Sequence, residues 1–125
     1  MATGAFEAIT TRVAWHALEA IEKYDAAEIG ADGRFQKADG SGIFYGIVQY
    51  GAESEDDMCT VVQGIFPGKV SADVEQGSRV KVDTSKPGLF VTALATDDAV
   101  GVALMDITKG ATGSILLAPS VGSGA

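Results

Sequence analysis

The chain repeats itself, and that constrains it more than any single motif does. Gly33–Gln63 falls on Gly88–Ala118, 55 residues further along, without a gap. Gly33 meets Gly88, Phe35 meets Phe90, Ala38 meets Ala93 and Gly46 meets Gly101; Ile47, Val61 and Val62 meet Val102, Leu116 and Leu117. Four identities in 31 pairs weigh less than the shared pattern. That pattern is a glycine-led turn into phenylalanine, a glycine-led apolar run, a polar loop and a second apolar run. Upstream the match continues with a two-residue shift, Ile21–Ile29 falling on Val74–Val82. A duplicated unit this short implies one supersecondary motif built twice.

Each half reads as short strands. Ala27-Glu28-Ile29 and Val80-Lys81-Val82 alternate apolar and polar, the period of a half-buried strand. Asp32-Gly33 and Pro87-Gly88 are turn dipeptides, followed by the return strands Arg34–Lys37 and Leu89–Thr92. Gly46–Tyr50, Cys59–Phe66, Gly101–Met105 and Ser114–Ala118 are further strands. The expectation is a mainly β chain. Its architecture is a small β-sandwich or barrel over residues 19–118, made of pseudo-repeats at 19–66 and 72–118. Before it lies an N-terminal arm, 1–18, extended or partly helical; after it comes a flexible tail, 119–125. The helical alternative rests on Val13, Ala17, Leu18, Ile21 and Tyr24, which share one helical face, with Thr10 or Thr11 as cap. The repeat argues for extended structure from Glu19 onward and leaves Arg12–Leu18 open.

Composition removes whole classes of function. With 17 Asp and Glu against 9 Lys and Arg, the net charge of −8 repels phosphate backbones, so nucleic acid is not an expected partner. The longest purely apolar stretch, Ala99–Met105, is far too short to cross a bilayer. The first residues lack the basic and apolar regions of a secretory signal, and Cys59 has no partner for a disulfide. A chain made in a reducing cytoplasm is the expectation.

Catalysis needs a nucleophile, a base and an orienting group that can meet. His16 is the single histidine, which leaves no His-pair metal site; beside Trp15 it reads as a partly exposed side chain. Cys59 lies in an apolar run and reads as a buried thiol. Glu53, Glu55, Asp56 and Asp57 form the densest charge cluster but lack calcium-loop spacing, so they read as a solvated loop or as a face for a basic partner. Gly40-Ser41-Gly42 and Gly64–Lys69 lack the context of nucleotide-binding loops. Trp15, Tyr45 and Tyr50 read as core or interface residues. No catalytic residue, metal ligand or cofactor is expected.

Glu19–Asp25 and Asp32–Ala38 in the first half, with Val100–Leu104 and Ile115–Ala118 in the second, resemble the capsid cement (head decoration) proteins of tailed bacteriophages. The likeness spans residues 19–118 and does not reach the segment through Leu18. It implies a β-rich virion structural protein without enzymatic activity. Such a protein sits on the outer surface of the mature head as a homotrimer or other small homo-oligomer, binds the major capsid protein and locks the expanded shell. On that reading Phe6, Ile9 and Trp15 are candidate contacts to capsid or sister subunit, and Ala2–Thr11 becomes ordered on binding. The competing expectation is a soluble β-barrel binding module for a small ligand or carbohydrate; a minor subunit of a larger complex is a third.

Overall fold

A computed structural model describes residues 6–118. It contains nine strands: β1 Ala8–His16, β2 Ala26–Ile29, β3 Phe35–Lys37, β4 Ile43–Tyr50, β5 Met58–Lys69, β6 Arg79–Val82, β7 Phe90–Thr92, β8 Gly101–Ala103 and β9 Thr112–Leu117. There is no helix among the described residues. The nine strands pair antiparallel in one sheet ordered β3-β2-β4-β5-β9-β8-β6-β7, with β1 on the edge of β5 opposite β4. The sheet curls into a half-barrel, nearer to the expected barrel than to the sandwich that was its alternative.

The partly helical arm is corrected. Thr11–His16 lies in β1, and Tyr24, the last residue of the supposed helical face, has φ 76°. That left-handed value is incompatible with a right-handed helix. Val13 and Ala17 do face one apolar cluster, but through the two-residue period of a strand rather than helical spacing. Residues 2–5 of the proposed binding arm, and the tail 119–125, lie outside the described residues.

The hydrogen-bond register carries the duplication residue by residue. In the first hairpin Ala27, Glu28 and Ile29 pair with Lys37, Gln36 and Phe35; in the second Val80, Lys81 and Val82 pair with Thr92, Val91 and Phe90. Ala26↔Ile47 and Ala27↔Gly46 recur as Arg79↔Val102 and Val80↔Gly101. The isolated bridges Ala17–Phe35 and Ile21–Ala52 recur as Val70–Phe90 and Val74–Ile107. The two-residue shift therefore sits in the hairpin turn, as the sequence predicts. The gapless match over the last strand does not hold: Ile47 pairs with Val62 and Val102 with Leu116, so Leu116 stands where Val62 does, not Val61. The polar loop before that strand is one residue shorter in the second half. The repeat also reaches further upstream than Glu19. β1 pairs with the first part of β5 as the last part of β5, Ile65–Lys69, pairs with β9.

Apolar side chains bury in two clusters. One lies within the first half and holds Ala17, Ile21, Ala27, Phe35, Val48, Ala52, Cys59 and Val61. The other joins the halves, with Ala26, Ala38, Ile47 and Val62 packed against Phe66, Val80, Phe90 and Ile115. Tyr24–Phe66 and Phe44–Phe90 ring contacts, at 5.9 and 6.1 Å between centroids, span this junction. Each fully buried large side chain contributes about 1.5–3 kcal/mol relative to exposure, so the junction is a core in its own right.

Candidate interaction surface

The groups with reactive potential lie apart. His16 is exposed, with Nδ1 2.9 Å from the Asp56 carbonyl oxygen and its ring edge-on to Trp15. A backbone carbonyl fixes a tautomer but supplies no acid or base. Cys59 is buried, and burial pushes its thiol up to about 11, away from the thiolate that a nucleophile needs. Among the described residues no group of three His, Cys, Asp or Glu side chains could hold a metal ion. A depression of about 470 Å³ runs along Asp73–Gln76 and Asp106–Thr108. Two of its carboxylates serve turns: Asp106 accepts from the Gln76 N–H and Asp73 from the Lys109 N–H, both at 2.8 Å.

The acidic loop is held by the hairpin beside it. Arg34 Nη1 lies 3.1 Å from Glu55 and 2.7 Å from Asp56, while its Nε donates to Asp32 at 2.7 Å. The Arg34 hydrogen bond holds the Asp32 carboxyl below its ordinary range. Asp57 instead accepts from the backbone N–H and hydroxyl of Ser54, both at 3.1 Å. Asp56 takes φ 70°, which Asp tolerates better than most residues. The loop is an ordered, exposed acidic knuckle, and one guanidinium serves three carboxylates.

Beside that knuckle lie exposed apolar side chains on both faces of the sheet. The ends of β1, β5 and β4 adjoin there, through His16↔Met58, Trp15↔Cys59 and Tyr50↔Thr60, with Met58 and Tyr50 on one face of the sheet and Trp15, opposite buried Cys59, on the other. Trp15, Tyr50 and Met58 are 50%, 61% and 51% exposed. Exposed aromatics beside charge are what protein interfaces favour. Of the three contacts expected from sequence, Trp15 is half exposed at this end of the sheet. Ile9 packs against the chain's own core, at a bulge facing Gly64. Phe6 is half exposed, and its backbone N–H donates to the Ser114 hydroxyl at 2.6 Å. Residues from Ala8 onward are already paired with β5, so any ordering on a partner concerns only what precedes them.

Two polar arrangements escape sequence reasoning. Asp25, 3% exposed, lies 3.1 Å from Lys69 Nζ and accepts the Glu22 N–H. Burial disfavours the Lys69 ammonium, but Asp25 and Glu22 outweigh it and hold it above its ordinary range. Glu28, 1% exposed, accepts from Gln36, the Gly40 N–H and the Ser41 hydroxyl. In sequence Glu28 reads as the solvent face of an alternating strand. The signal that could correct this is Gln36, Gly40 and Ser41 just downstream, a donor set in β3 and the loop that follows it.

No protein-family model and no curated protein sequence matches the chain. Among solved structures, the N base of the head fiber gp8.5 of bacteriophage phi29 is similar in fold, with a TM-score of 0.69 at 15% identity. The alignment covers 88% of this chain and 97% of that one.

Proposed function

We propose that this chain is a non-enzymatic structural protein of a phage virion, which binds the outer surface of the mature head and stabilises it. The observation that carries the reading is the fold likeness to a phage head-fiber base along nearly the whole of both chains. The surface supports it: exposed Tyr50 and Met58 on one face of the sheet end and Trp15 on the other, beside an ordered acidic knuckle, suit a protein partner rather than a small substrate. The partner is the major capsid protein, and the chain acts as a homotrimer or other small homo-oligomer. A protein that binds only the expanded shell shifts the equilibrium toward that shell by mass action, without any chemistry.

The test is co-sedimentation with purified heads before and after expansion. The protein pellets with expanded heads and stays in the supernatant with unexpanded ones; Trp15→Ala or Tyr50→Ala reduces the bound fraction. Equal absence from both pellets would contradict the proposal.

A further inference from the structure

The two halves stack back to front. The back of the first half is a row across its strands, Val62, Ile47 and Ala26, with Ala38 alongside; all four are fully buried. The front of the second half covers it with Phe66, Val82 and Phe90 in the same cluster. The turn at Gly88 completes the seal: its carbonyl accepts the Ala26 N–H at 2.8 Å, and its N–H donates to the Ala38 carbonyl at 3.0 Å.

A stack of two leaves one back and one front over. The spare back is the equivalent row of the second half, Leu116, Val102 and Arg79, with Ala93 alongside. There Leu116 is 41% exposed, Arg79 is exposed and Val102 only half-buried. The spare front belongs to the first half. Val13 and Ile29, equivalent to the covered Phe66 and Val82, are only half-buried, as is neighbouring Tyr45. The turn at Gly33 stands in open space, whereas a Cβ on its counterpart Gly88 would lie 3.2 Å from Asp25.

Charge matches these two surfaces to each other rather than to themselves. Residues 1–66 hold 11 carboxylates and 4 Lys or Arg; residues 67–125 hold 6 and 5. By the spare front, Asp32, Glu55 and Asp56 converge on Arg34. On the spare back stand Arg79 and Lys81, the latter paired with Asp97 at 3.0 Å.

We infer that the protein self-associates head to tail, the Leu116–Val102–Arg79 back of one copy receiving the Val13–Ile29–Tyr45 front and Gly33 turn of the next. The joint repeats between copies the contact that already holds the two halves together. It deepens the oligomeric part of the proposed function, yet it is read on free protein without heads, so the two stand or fall separately. A joint of this kind is heterologous, and closes into a ring or grows as a fibre according to the rotation per step.

The experiment measures the native mass of the full chain by sedimentation. Wild type runs as assemblies. Leu116→Asp and Tyr45→Asp, each checked for strand content by circular dichroism, run as monomers. Mixed in equal amounts they form dimers and nothing larger, because each keeps one intact surface. Should either fail to fold, the exposed changes Arg79→Glu and Glu55→Lys carry the test: each alone weakens assembly, and an equal mixture restores pairing through the two new opposite charges. A wild type that stays monomeric, or folded variants whose mixture is no heavier than its parts, would overturn the inference.

Discussion

Tyr24 and Gly77 occupy the same place in the two halves, with φ of 76° and 86°; Asp56 and Gly110 do likewise, with 70° and 82°. Left-handed backbone costs an L-residue about 1–2 kcal/mol, and a Cβ on Gly77 or Gly110 would meet nothing within 4 Å. Gly77→Ala and Gly110→Ala therefore each cost about 1 kcal/mol from backbone alone, seen as a drop of a few degrees in the thermal midpoint. Gly46→Ala isolates the opposite cause: its φ is not positive, but a Cβ would lie 2.1 Å from the Val62 carbonyl oxygen. It should prevent β4 from pairing with β5 and leave little folded protein. The thiol offers a further check: buried Cys59 should react with a thiol reagent only as fast as the chain opens, and at the free rate in denaturant. Asp83 is held below its ordinary range, chiefly by the Ser71 hydroxyl at 2.7 Å. Because its folded-state pKa is depressed, its contribution is complete above the ordinary carboxylate pKa of about 3.9 and is lost as pH falls through the folded value. Asp83→Asn should flatten that acid limb in pH-dependent unfolding. At this scale the sequence shows the glycine turns plainly and hides the one at Tyr24. A tyrosine at helical spacing from Ile21 and Ala17 looks like a helix, and only alignment with Gly77 points to a turn.

Among the strands β5 is the shared member. Its first part pairs with β1 and β4, its last with β9. Lys69 at its end reaches back to Asp25 in the first half. Lys69→Met would strand a buried carboxylate and cost roughly 3 kcal/mol; adding Asp25→Asn should return part of that, a coupling that a double-mutant cycle in urea would measure. The hairpins β2–β3 and β6–β7 were legible because a turn dipeptide separates runs of period two. β1 was not, because Thr11–Tyr24 carries a helical apolar spacing and has no glycine turn to break it. Its trace was faint: Val13 and Ala17 stand in for Phe66 and Val70, the same four-residue step on both sides of the duplication. The slip of one residue in β9 was hidden for a different reason. Both registers place apolar residues opposite apolar residues, so only the hydrogen bonds distinguish them.

For the molecule as a whole, duplication pointed to every strand but β1, while composition argued against nucleic acid and a bilayer. The stacking of one half on the other was not legible, because Ala26, Ala38 and Ile47 look no different in sequence from residues facing their own half. The candidate surface was legible only in part: Trp15 and Tyr50 stood out as core or interface aromatics, whereas Met58 gained meaning from the register that sets it on the same face as Tyr50. The role we propose for this β chain is to grip a shell. The most direct measurement is the temperature at which DNA-filled expanded heads release their genome, with and without saturating protein. A protein that grips the shell raises that temperature in step with occupancy, and less so for Trp15→Ala; an unchanged release temperature at full occupancy would rule the role out.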